Sequence, residues 1–131
     1  MKISELPWSF PESQPHYPEL YVTGVGQDGD LAKRLISEGV SIVFSALPDS
    51  PASQIEKDLA MSGLVVISHS TIHRHSEKVP LIVPEVNNGH LKLIDFQTEY
   101  GGGMLVSCSN CMVVPLAISL APLIRFLPVD S

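Results

Sequence analysis

The sequence predicts an α/β fold, a partial doubly wound parallel sheet with flanking helices, and three observations carry that expectation. Two mostly apolar runs, Ser41-Ile-Val-Phe-Ser-Ala-Leu47 and Leu64-Val-Val-Ile-Ser68, bracket a helical stretch. Strand, helix and strand in so short a span make a parallel βαβ unit. Neither run alternates apolar with polar residues, the pattern of strands covered on both faces. A further helix, strand and helix then continue the alternation to Ile124.

The elements follow in order. Residues 1–19 carry Pro7, Pro11, Pro15 and Pro18, which exclude a regular helix or a central strand. Leu20-Tyr-Val-Thr23 is a short β-prone run, and Leu31 to Glu38 reads as a helix closed by Gly39. Pro48 ends the first apolar run. Ser50-Pro51 opens the next helix with Ser as N-cap and Pro at the first position, and Gly63 stops it. A His/Ser/Thr-rich loop runs from Ser68 to Lys78, then a Pro-bounded segment from Pro80 to Val86, then a short helix from Gly89 to Gln97. A strand at Met104 to Ser107 and a last helix complete the pattern. Residues 1–40 thus form an irregular lead-in with one short strand and helix, and residues 41–131 the main body.

Composition narrows the function. The chain has 131 residues, 44% hydrophobic and 17% charged, with a net charge of −6. That is a globular composition. Eight scattered basic residues offer no patch for counterion release, so nucleic acid is excluded as a partner. Two cysteines and no apolar leader fit a reducing, cytoplasmic setting. Met104 to Ile124 carries no charge, but its polar residues with Pro115 and Pro122 favour strand, turn and buried helix over a membrane span.

Several motifs carry chemistry. Gly24-Val-Gly-Gln-Asp-Gly29 is a literal GxGxxG with Asp49 twenty residues beyond it, yet Asp28 and Asp30 would face the phosphates, so a polar turn is favoured. His69, His73 and His75 match no metal spacing and read as a solvated loop. Cys108-Ser-Asn-Cys111 can be a redox pair, half a zinc site, a pair of small core residues, or one nucleophile beside a bystander. Pro115 keeps the last helix from starting before about Met112, which places Cys111 at a strand-to-helix turn. There the helix dipole would favour a thiolate, while Cys108 would be buried and inert.

Four segments together resemble aspartate-semialdehyde dehydrogenase, specifically its archaeal and fungal-like branch. They are Ile42-Val-Phe-Ser-Ala-Leu-Pro48, Val79-Pro-Leu-Ile-Val-Pro-Glu-Val-Asn87 with His90-Leu91, Ser109-Asn-Cys111, and Leu120-Ala-Pro-Leu123. The resemblance covers roughly Ser41 to Ile124. Ser-Asn-Cys favours this family over the related N-acetyl-glutamyl-phosphate reductases, which carry a Gly-Cys-Tyr type sequence.

The resemblance implies a Rossmann-like domain and reduction of 4-aspartyl phosphate with NADP(H), on the way to lysine, threonine and methionine. It makes Cys111 the nucleophile that displaces phosphate and forms a thioester. Asn110 would position substrate and Arg74 would bind its phosphate. Ser45, Leu47 and Ser68 would line the cofactor crevice. It also implies a small-molecule substrate with phosphate as partner, no membrane, and a homo-oligomer or association with a complementary chain.

There are departures. No glycine-rich phosphate loop stands at the head of the chain, His69 replaces an expected asparagine, and Met112 and Val113 replace Ser or Thr. The family's catalytic histidine and substrate-binding arginine follow its cysteine by a long stretch. The expectation is therefore a truncated chain, its first strand missing and one sheet edge open, with negligible turnover alone. Two further readings remain, a non-catalytic nucleotide-binding or regulatory module and a separate thiol protein.

Overall fold

The computed structural model describes Lys2, Glu5, Pro7, Ser9, residues 21–25 and residues 31–127, apart from the Arg125 side chain. The chain divides into two compact units, Met1–Leu31 and Ala32–Ser131. In the first, Tyr21 of the β-prone run makes one isolated antiparallel bridge to Lys2. Gly26 and Gly29 of the glycine motif lie outside the described residues, as does Leu20.

The second unit is built on a four-stranded parallel sheet of order β1-β2-β4-β3, with β1 Ile42–Ser45, β2 Val65–Ser68, β3 Leu81–Ile82 and β4 Met104–Cys108. The helices are α1 Leu31–Ser37, α2 Asp49–Met61, α3 Pro84–Asn87 and α4 Val113–Phe126. Glycine ends the first two where the sequence predicts it. Gly39 and Gly63 adopt φ of 79° and 94°. The next amide in each case, Val40 or Leu64, bonds back to the carbonyl of Leu35 or Leu59. That 6→1 bond satisfies a helix-end carbonyl, and a positive φ is what glycine supplies there without a Cβ clash.

α2 covers one face of the sheet, packing on β2 and β4. Ala52, Leu59 and Ala60 of the helix and Leu64, Val66 and Leu105 of the sheet side form the core, each at most 3% exposed. The buried amide of Gln97 closes one side of β4 ahead of β3. Its Nε2 donates to the carbonyls of Lys78 and Leu105, and its Oε1 accepts from the Leu105 amide. A primary amide has the donor and acceptor of a peptide, so this side chain extends the ladder by one position.

Four expectations change. β1 is covered on one face only: Ser45 is buried, but Phe44 is 73% exposed and Ile42 51%. An apolar run tells what a strand can bury, not what is there to bury it. α2 starts at Asp49 with Pro48 at the cap position and no side-chain cap, so Ser50 is already helical. The Pro-bounded segment from Pro80 to Val86, to which the sequence assigns no element, holds a short strand and the start of α3, and the short helix expected over Gly89 to Gln97 is a 3-10 helix from Asn88 to Phe96. α4 is poorly covered rather than buried, with Leu116, Leu123 and Ile124 each more than half exposed.

Candidate functional site

β1, β2 and β4 carry a serine at matching positions of their carboxyl ends, Ser45 opposite Ser68 and Ser68 opposite Ser107. Equivalent positions in register share a face. All three serines are buried. Ser45 Oγ accepts the Leu47 amide at 3.5 Å and Ser68 Oγ the Ser70 amide at 3.1 Å, so both hydroxyls shape their own turns. Ser107, which the sequence reading did not single out, has a hydroxyl with no partner among the described residues. Carboxyl ends of parallel strands are where doubly wound sheets take their ligands, because the strand-to-helix turns leave backbone groups and loops free there.

A cleft of about 560 Å³ opens at this edge, within the usual range for a small-molecule site. Its polar lining comes from His69, Arg74, Ser109 and Asn110, with both Cys108 and Cys111; Ile82, Val83, Pro84, Val114 and Pro115 supply the apolar lining. Cys111, Asn110 and Arg74, singled out from the sequence, are thus brought to one cleft, whereas Ser45, Leu47 and Ser68 are not part of its lining. His69, read from sequence as a solvated loop residue, belongs to it as well. A histidine in a polar loop carries no local signal of that; it follows from the register that ends β2 beside β4.

The cysteine turn is held by Asn110. Its side-chain Oδ1 accepts the Met112 amide at 2.8 Å, and its carbonyl accepts those of Val113 and Val114 at 2.9 and 3.0 Å. This Asx turn starts α4 and leaves Cys111 exposed at its apex. Both cysteines are free. Cys108, the last residue of β4, is half-buried, and burial pushes its thiol pKa up, partly offset by the Arg74 charge. Arg74 spans two strand ends, donating Nε to the Cys108 carbonyl at 3.2 Å and Nη2 to the His69 carbonyl at 3.0 Å. That bracing fixes the guanidinium plane, which suits it to two-point recognition of an oxyanion.

The loop carrying Arg74 is tied to α2. Asp49 Oδ1 accepts Ser70 Oγ at 2.5 Å and the Thr71 amide at 2.8 Å, and Oδ2 accepts the Thr71 hydroxyl. These bonds, the Ser70 hydroxyl first, lower the Asp49 pKa to about 2. A depressed carboxylate pKa stabilises the fold above the unfolded-state value and loses that contribution as pH falls through the folded one. The Thr71 amide proton shift is therefore expected to titrate with a midpoint near 2. Asp49→Asn should abolish that titration, and a midpoint near the ordinary aspartate value would show the clasp to be open in solution.

Among the described residues no group of three or more His, Cys, Asp and Glu converges as metal ligands, and no helix is long and apolar enough to cross a membrane.

Residues 14–94 match the family model described as semialdehyde dehydrogenase, NAD binding domain. The chain belongs to this family. Aspartate-semialdehyde dehydrogenase of Archaeoglobus fulgidus is 45% identical over 84 residues, 63% of this chain and 24% of that protein. A malonyl CoA reductase (NADP) of Metallosphaera sedula is 38% identical over 90 residues, 67% of this chain and 25% of that one. The crystal structure of Candida albicans aspartate semialdehyde dehydrogenase with NADP superimposes with a TM-score of 0.57 at 34% identity, over 65% of this chain and 26% of that one. This semialdehyde dehydrogenase-family chain therefore spans about a quarter of the length of the relatives it matches.

Proposed function

We propose that the chain supplies the cysteine-bearing part of the cofactor domain of an aspartate-semialdehyde dehydrogenase, residues 41–131 forming that part and 1–40 a lead-in. Cys111 attacks the acyl carbon of 4-aspartyl phosphate, a C–S bond replaces the C–O bond, and phosphate leaves with the electron pair toward Arg74. NADPH, when bound, supplies the hydride that takes the acyl carbon to aspartate 4-semialdehyde as the thiolate departs.

One observation carries this reading: an exposed cysteine at a strand-to-helix turn shares a cleft with a braced arginine. Asn110 acts on Cys111 through the turn it caps. The cofactor fit rests on the Ser45–Leu47 and Ser68–Ser70 turns. Their serine hydroxyls are buried and already used, so a nucleotide would meet backbone and the exposed Ala46 and His69 there. In this reading the general base comes from outside the matched residues. The bare apolar surface of β1 and α4 suits packing against a further protein surface.

A second reading has a specific support, the malonyl CoA reductase at comparable identity. There the acyl donor would be a CoA thioester. Mass analysis of the pure protein after exposure to freshly made 4-aspartyl phosphate separates the two. An aspartyl adduct on Cys111, absent from Cys111→Ser, is the expected result. A malonyl adduct from malonyl-CoA alone would support the second reading. NADPH binding without any adduct would leave a non-catalytic nucleotide module.

A further inference from the structure

Glu56 stands seven residues after Asp49, two turns along α2, so the two carboxylates share a face of the helix. Its surroundings are otherwise those of a core position. It is completely buried beside Ala52, Leu59 and Ala60, and its partner is His73, 3% exposed, with Nε2 2.9 Å from Glu56 Oε2. The approach is close but poorly aligned for a hydrogen bond, and Oε1 has no partner among the described residues. A buried carboxyl–imidazole pair is a poor way to stabilise a core, since an apolar pair of similar volume serves as well or better. The pair therefore calls for a role other than bulk stability.

Its place in the chain supplies one. His73 immediately precedes Arg74. The chain around them is wound into tight turns, the Arg74 amide bonding to the Thr71 carbonyl and the Ser76 amide to that of His73, each at 3.1 Å. With Asp49 holding Ser70 and Thr71 and Glu56 holding His73, α2 grips this loop on both sides of Ile72. His73 turns into the protein while Arg74 lines the cleft. Seating the first sets the backbone from which the second departs.

We propose that the Glu56–His73 pair is a positioning device for Arg74, fixing its guanidinium at the cleft for a phosphoryl oxyanion. The ligand half of this inference rests on the function proposed above; the positioning half rests on geometry alone. Glu56 and His73 touch no substrate and act only through the loop.

The test separates the two halves. Glu56→Leu fills the site with apolar volume, and Glu56→Gln keeps its shape and polarity should the leucine variant not fold. Three quantities are read on the full chain: urea stability, hydrogen exchange of the Arg74 Nε proton bound to the Cys108 carbonyl, and affinity for inorganic phosphate. Misplacement of a binding group by about 1 Å is costly, so a loss on the order of tenfold in phosphate affinity is expected for Glu56→Leu. Faster Nε proton exchange should accompany it, with urea stability held or raised, and Glu56→Gln should fall between the two. Unchanged exchange in a folded variant overturns the positioning role. If the unsubstituted protein binds no phosphate, or Arg74→Ala binds it equally well, the oxyanion reading of Arg74 fails, and the exchange rate alone decides whether Glu56 holds that side chain.

Discussion

Native protein treated with iodoacetamide at neutral pH is expected to take up one label per chain, on Cys111, and a second only after unfolding. Two facts separate the thiols. Cys111 is exposed at the apex of the Asn110 turn, whereas Cys108 is half-buried and its pKa is raised by burial more than the Arg74 charge lowers it. The thiolate is the reacting species, so access and charge both disfavour Cys108. Cys111→Ser should bring native labelling close to zero, and Cys108→Ser should leave it at one. Equal native labelling of the two cysteines, or loss of labelling in Cys108→Ser, would remove the basis for treating Cys111 as the nucleophile. The experiment needs no cofactor and no partner chain, so it reads the local geometry before any question of turnover arises.

What could be read from the sequence about this site was local. Pro115 limits where α4 can begin, and that alone puts Cys111 in a turn; the helix indeed starts at Val113. Apolar runs bounded by Gly and Pro located β1, β2, β4 and α2 in the same way. The rest depends on partners distant in the chain. β3 is two residues long and exists only because β4 offers it a ladder, so nothing within Pro80 to Val86 announces it. Gln97 looks like a helix-end residue until Leu105 lies beside it. Glu56 looks like one more charged position on a surface helix, and only the fold reveals that it faces His73 in the core. The resemblance assigns Asn110 to substrate; its Oδ1 also accepts the Met112 amide, a bond that Ser109-Asn110-Cys111 does not disclose as a sequence.

Gly103→Ala is expected to be the most damaging small substitution in the described sheet. The triple glycine Gly101-Gly-Gly103 stands out in the sequence only as a break in an apolar run, yet its three members differ. A Cβ on Gly103 would lie 1.9 Å from the Ala60 carbonyl oxygen and 2.8 Å from that of Leu64. Both atoms are backbone at the end of α2, and both are in use: the Ala60 carbonyl accepts the Gly63 amide, and that of Leu64 accepts Met104. No rotamer change can relieve the clash; α2 and β4 must separate. Overpacking of a close-packed interior costs about 1–3 kcal/mol or somewhat more, and this case belongs at the upper end because only backbone can yield. Gly102 has open space around it, so Gly102→Ala should change stability by no more than about 1 kcal/mol, by limiting the unfolded chain. Urea midpoints of the two variants provide the comparison, and equal midpoints would mean that α2 and β4 are less closely packed than described. The consequence reaches the cleft. β4 runs directly from Gly103 to Cys108 and the Asn110 turn, so moving it away from α2 carries Cys111 with it while Asp49 and Glu56 keep the Arg74 loop on α2. A folded Gly103→Ala protein should therefore still label at Cys111 yet form the acyl adduct poorly, because the thiol and the guanidinium no longer face one ligand together.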